Sequence, residues 1–181
     1  MSYTAQCSTN YYGLLSTFWT DMNGTEPIIP TTLWLSLFPI TYVIHFAEEY
    51  WGGEGYSAYL FRLRGVHLSP VRFVAFQALG FVLFVAAGVI ARQLKFPEFM
   101  IVVLGGLVLC NGITHTITAL WAGGYGPGLL SSVLLWIPLG ALTIVLMFGR
   151  ISHARLALAT MIGFAINGLV ALVAMRGGRL V

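Results

Sequence analysis

Charge is scarce in this sequence. Only 8% of its 181 residues are Asp, Glu, Lys or Arg, where a soluble domain carries about 25%. So few charges cannot cover a water-facing surface, and a soluble globular fold is excluded. The six acids and nine bases exclude a disordered polyelectrolyte, because 58% of the residues are hydrophobic. Two cysteines are too few for a disulfide scaffold; Cys7 lies in a polar stretch and Cys110 in an apolar one, and both read as free thiols. No basic stripe interleaved with aromatics is present, which argues against a nucleic-acid partner. No long-period repeat is present either. The first twenty residues lack a basic opening region and a continuous apolar core, so no cleavable signal peptide is expected.

What the sequence has is length of apolar run. A bilayer-crossing helix needs about 20 mostly apolar residues, and five segments qualify: Thr32 to Trp51, Pro70 to Arg92, Pro97 to Ala122, Gly128 to Phe148, and Ala154 to Met175. They are too long for barrel strands. The expected fold is therefore all-α, a polytopic membrane helix bundle of about five transmembrane helices. Pro70 and Pro97 suit first helical turns, where a missing N–H costs nothing. Pro39 and Pro138 fall inside spans and predict kinks.

This divides the chain into a polar extramembrane segment (1–31), a transmembrane helical domain (32–176) and a short tail (177–181). Within the first segment, Tyr11 to Trp19 suggests a short interfacial helix. Residues 52–69 form the longest internal connection, and the run Tyr59 to Arg64 suits the headgroup layer, with arginines reaching out to water. The tryptophans near span ends, Trp19, Trp34, Trp51 and Trp121, read as interface anchors. The glycines Gly105, Gly106, Gly163 and Gly168 read as sites of close helix packing. With an outside N-terminus, five basic residues fall inside and four outside. The positive-inside rule thus favours that orientation by one charge, in a plasma (inner) membrane. The net charge of +3 points to anionic lipid as a neighbour.

In such a chain the polar residues carry the information, because ionisable groups inside a span are expensive and usually functional. They cluster. The first segment ends His45-Phe46-Ala47-Glu48-Glu49, and the third carries Asn111-Gly112-Ile113-Thr114-His115. His45 and Glu49 are i,i+4 and share a helix face, as do Asn111 and His115. His45 lies roughly 20 Å into its helix and Asn111 roughly 21 Å into its own. The two helices run parallel, so the clusters meet one layer. Asn167 and Gln77 reach a similar depth, although each reads first as helix–helix glue. The uncharged loop 123–128 opens on the same face and could close over it, with Tyr125 supplying a hydroxyl.

His45-Phe46-Ala47-Glu48-Glu49 resembles the motif of the HXXEE domain family of small membrane proteins. Asn111 to His115 resembles that family's NxxxH motif, and Tyr125 to Gly128 its YxPG motif. The three occur in order, and the resemblance spans roughly residues 35 to 175. It implies a site at these residues and supplies no reaction.

Two imidazoles, two carboxylates and an amide can make a metal site. A catalytic zinc takes three protein ligands, often two His and a Glu, and keeps one position for water. His45, Glu49 and His115 are the candidate ligands. Glu48, about 100° around the helix, would be a supporting partner or a general base. Asn111 could fix a tautomer or donate to a developing oxyanion. Zinc is favoured over iron, although the same ligands suit a mononuclear non-haem iron oxidoreductase.

The leading reading is a metal-dependent hydrolase with a metal-activated water, acting on an apolar or amphiphilic small molecule, lipid or peptide. A metal-free acid–base isomerase or epimerase would need little more than the same residues. A non-enzymatic transporter or partner subunit is the third reading, but no repeated halves of the kind many transporters show are visible. Substrate, orientation and homo- or hetero-oligomeric state stay open, as does which of Glu48 and Glu49 is the ligand.

Overall fold

The computed structural model describes residues 30–176. The expected interfacial helix at Tyr11 to Trp19, most of the N-terminal segment and the tail at 177–181 lie outside the described residues. Two units are distinguished, 1–34 and 35–181. Pro30 and the opening turn of the first helix are the described part of the former, and the site lies wholly in the latter.

Six helices make up the described chain: α1 (Thr31–Trp51), α2 (Tyr56–Arg64), α3 (Pro70–Gln93), α4 (Pro97–Ala122), α5 (Leu129–Met147) and α6 (His153–Arg176). The all-α expectation holds. α3, α4, α5 and α6 are long and apolar enough to cross a membrane, which makes this a membrane protein. α1 matches the first of the five expected spans and is 21 residues long, but it is not among those four. Its hydropathy is lowered by His45, Glu48 and Glu49, the residues that make it chemically interesting.

Local chemistry sets the helix ends. Pro70 and Pro97 stand in the first turns of α3 and α4, as expected. The hydroxyl of Ser69 caps α3 by accepting from the Arg72 N–H at 3.3 Å. Gly123 closes α4 in the left-handed conformation (φ 73°). The connection at 52–69 is not all loop. It contains α2, which is bounded by two glycines of positive φ, Gly55 and Gly65.

α4 is the hub. α5, α6 and α3 all pack on it, and its middle, Ile101 to Val108, is buried throughout. Small residues allow the approach. A Cβ on Gly105 would lie 2.7 Å from Thr143 of α5, one on Gly106 2.8 Å from the Thr160 carbonyl of α6, and one on Gly163 2.3 Å from the Val103 carbonyl. The expected packing role holds for these three; Gly168 instead faces open space.

Pro138 acts by an unexpected route. The turn before it, Ser132–Trp136, is a π-helix. Proline has no N–H for the carbonyl four residues back, and its ring crowds that carbonyl. A wider turn relieves both, and it rotates Trp136 into the core, where it is 1% exposed.

Candidate functional site

The i,i+4 spacing of α1 places His45 and Glu49 on its buried face, 2% and 4% exposed. His115 of α4 meets them. Glu49 Oε1 lies 3.6 Å from His45 Nε2 and 3.2 Å from His115 Nε2. One donor atom from each of the three residues falls within 4.8 Å of the other two. A tetrahedral zinc with bonds of about 2.0–2.2 Å sets its ligand atoms about 3.3–3.6 Å apart. Two of the three separations already suit it.

Two of the three ligand candidates, His45 and Glu49, are held from behind by hydrogen bonds. The His45 ring stacks on Trp136 with centroids 3.7 Å apart and planes 24° apart, and it meets His115 edge-on at 4.9 Å. His45 Nδ1 lies 2.8 Å from Ser131 Oγ. Ser131 Oγ in turn donates to Glu48 Oε2, with the Gly128 carbonyl a second, longer acceptor at 3.3 Å. The hydroxyl proton is therefore committed away from His45. Nδ1–H is then the donor to Ser131 Oγ, and in the neutral imidazole Nε2 carries the lone pair. That Nε2 is buried and has no hydrogen-bond partner among the described residues. A buried acceptor without a donor is costly, and a cation beside Glu49 and His115 would satisfy it.

Glu49 Oε2 accepts from Gln77 Nε2. The Gln77 amide oxygen accepts from the Tyr42 hydroxyl. Gly80 leaves the room for this, because a Cβ there would collide with that hydroxyl. Oε1 is thus the oxygen left facing the two imidazoles. Tyr56 of α2 packs 6.1 Å from the His115 ring. Its burial, then the Glu49 charge, push its hydroxyl well above the ordinary tyrosine range.

Glu48 points elsewhere. Its carboxylate accepts from the backbone N–H of Leu130 at 2.8 Å and of Ser131 at 2.6 Å, from Ser131 Oγ, and from the Tyr125 hydroxyl at 2.8 Å. The two backbone donors belong to the first turn of α5, whose N–H groups have no partner within the helix. Glu48 is therefore a cap supplied by another helix, and it ties loop 123–128 to α1. Burial, then the hydrogen bond to Glu48, push the Tyr125 hydroxyl up to about 12.

The loop is fitted residue by residue. Tyr125 reaches Glu48. A Cβ on Gly126 would lie 2.8 Å from the Tyr59 hydroxyl, and Pro127 is fully buried. Gly128, at φ 85°, lies so close to both imidazoles that a Cβ would be 2.9 Å from Cε1 of each.

The cluster opens into a cavity of about 720 Å³. His45, Glu49, His115, Asn111, Gln77 and Asn167 all line it, so the polar layer expected from helix depths is one wall of one space. Asn111 makes no side-chain hydrogen bond among the described residues. Asn167 donates to Cys110 Sγ at 3.4 Å. Glu48 and Tyr125 are not among the lining residues; they sit behind Ser131.

Ser131, Trp136, Tyr42 and Tyr56 carry no signal in the motifs. For Trp136 a signal existed: it alone of the five tryptophans stands in mid-span, away from an interface. His67 and His153 stay outside the cluster, His67 tilted against Phe61 and His153 stacked on Phe148.

Residues 36–143 match the model of a family described as a protein of unknown function with HXXEE motif. The chain belongs to this family. The match contains all the residues placed at the cluster and stops short of α6, so it is narrower than the expected 35 to 175. No curated protein and no solved structure matches the chain.

Proposed function

We propose that the protein is a metal-dependent membrane enzyme of hydrolase type, acting on an amphiphilic substrate in the cavity. The observation that carries this reading is the buried Nε2 of His45, without a hydrogen-bond partner among the described residues, beside a Glu49 Oε1 that also lies 3.2 Å from His115 Nε2. In this reading His45, Glu49 and His115 hold a divalent cation, with zinc favoured by two imidazoles and one carboxylate. Such a cation would supply Lewis acidity and bring the pKa of a water molecule down toward about 7.

The chain's own residues do the rest. Ser131 and Glu48 fix the tautomer and direction of His45, and Gln77 with Tyr42 fixes Glu49; supports of this kind tune a metal site strongly. Trp136 keeps water from the back of the His45 ring. Asn111, on the cavity wall four residues from His115 and with an uncommitted amide, would donate to an oxyanion that develops on substrate. Of the two roles the spacing leaves to Glu48, its four hydrogen bonds favour support over proton transfer. Tyr125 holds the loop closed through Glu48 rather than touching substrate.

The test is incubation of zinc-loaded protein with membrane lipid extract in oxygen-18 water. The reading expects a product carrying one heavy oxygen, formed by the parent protein and absent with His45→Ala or Asn111→Ala. Turnover without heavy-oxygen incorporation, unaffected by chelator, would instead support the metal-free acid–base isomerase. Glu49 within ion-pair distance of both imidazoles is the observation that keeps that second reading.

A further inference from the structure

The cavity is long and has two unlike ends. It is lined along α3 from Phe73 to Ala87, along α4 from Phe99 to Thr118 and along α6 from Ile162 to Met175. At 1.5 Å per residue these stretches measure about 21, 28 and 20 Å. Each exceeds the ~15 Å of hydrocarbon that one leaflet provides. The polar lining groups gather toward the His115 end. From Leu107 down to Phe99, about 12 Å along α4, the α4 lining residues are all apolar, and Ala87 and Ile162 continue this wall.

The side is open. α3 and α6 flank the cavity, and both pack on α4 rather than on each other. Only 11% of the apolar window of α3 is buried inside the protein. Leu79 and Leu83 of α3 line the cavity and are still 56% and 58% exposed; Ile166 and Val170 of α6 are 37% and 39% exposed. Exposure of wall residues on both flanks is what a side opening between α3 and α6 would leave.

At the polar end stands one permanent cation. Arg64, the last residue of α2, lines the cavity with its guanidinium 4.9 Å over the Trp121 ring. It has no carboxylate partner among the described residues, whereas Arg62 is paired with Glu54 at 2.7 Å. An unpaired arginine at the end of an apolar channel complements an anionic group.

We propose that the cavity binds a long-chain amphiphile with an anionic polar end, which passes from the bilayer between α3 and α6. Its head lies between Arg64 and the His45–Glu49–His115 cluster, and its chain lies along Leu83, Met100 and Ile162. The position of the head rests on the reading of that cluster as the reacting site; the binding of the chain does not.

The experiment is photolabelling of the full chain in detergent with hexadecanoic acid that carries a diazirine at mid-chain. The expected result is saturable label on peptides containing Leu83, Met100 or Ile162. Unlabelled hexadecanoic acid removes it, while octanoic acid and the hexadecyltrimethylammonium cation do not. Leu83→Trp and Ile162→Trp, on opposite sides of the opening, each lower the label at least tenfold and keep the protein monodisperse. Arg64→Gln weakens competition by hexadecanoic acid severalfold.

The parent protein stripped with a chelator keeps the label, so failure of the metal reading leaves this result standing. Metal content measured on the two tryptophan variants reports the converse. Label spread equally over outward-facing residues such as Leu130 and Leu134, and unchanged by both tryptophan variants, would overturn the proposal. Equal competition by the cationic amphiphile would overturn the anionic head. Because the competition needs no variant, a misfolded tryptophan variant leaves the proposal falsifiable.

Discussion

Ser131 Oγ stands 2.8 Å from His45 Nδ1, although 86 residues separate the two in sequence. Its own proton goes to Glu48. One hydroxyl thereby joins the first and last residues of the His45-Phe46-Ala47-Glu48 stretch through a third point on α5, and it gives the imidazole Nδ1–H its acceptor.

Replacing Ser131 tests that link. Ser131→Ala removes the acceptor for the Nδ1–H and leaves the Ser131 backbone N–H on Glu48 intact. Metal affinity, measured by competition with a chelator, is expected to fall about 10–100-fold, the usual effect of losing an orienting partner. Ser131→Thr keeps the hydroxyl and is expected to restore most of it. Equal affinity in all three proteins would contradict the assigned tautomer.

The two adjacent glutamates are expected to behave differently. Glu49→Gln removes the oxygen that faces both imidazoles and should empty the site. Glu48→Gln keeps two backbone donors near an amide oxygen, loosens loop 123–128, and should lower affinity while leaving metal bound at saturation. Full occupancy in Glu49→Gln with an empty site in Glu48→Gln would reverse the two roles.

Gly128→Ala is a steric test. The added Cβ would lie 2.9 Å from both imidazoles, on a backbone at φ 85° where alanine costs about 1 kcal/mol or more relative to glycine. A lower melting temperature together with lost metal is expected. Gly124→Ala, four residues earlier and facing open space, is the control and should change neither.

The α1 and α4 halves of this site were legible, and the α5 contribution was not. The i,i+4 pairs His45/Glu49 and Asn111/His115 are helical geometry, and helical geometry survives folding. Shared depth then brought Gln77 and Asn167 to the same wall. Ser131 and Trp136 depend on the rotation of α5, which the π-turn before Pro138 sets, and no local pattern encodes that rotation. The face of Glu48 was legible too, but its partners were not, because they are backbone N–H groups, which every residue but proline carries. α2 was hidden by its shortness: nine residues give too little periodicity, and only the flanking glycines Gly55 and Gly65 marked its ends. α1 shows the limit of counting apolar residues, since a helix that carries a site loses the hydropathy by which a span is recognised.

Tyr125 makes a prediction in pH. Its hydroxyl is pushed from the ordinary 10.0 up to about 12 while it donates to Glu48. A group held protonated by the fold stabilises fully below its unfolded value, and that stability is lost as pH rises through the folded value. The melting temperature is therefore expected to fall between about pH 10 and 12 more in the parent protein than in Tyr125→Phe. A tyrosinate absorbance titration should lack one late-ionising residue in the variant. Ionisation of Tyr125 near 10 would show that the loop is not tied to Glu48.

The central claim is that His45, Glu49 and His115 hold a metal, and elemental analysis of the detergent-purified protein by mass spectrometry tests it most directly. The account predicts near-stoichiometric zinc, lost in His45→Ala/His115→Ala. No bound metal in the parent protein, even after zinc or iron is added under reducing conditions, would contradict it.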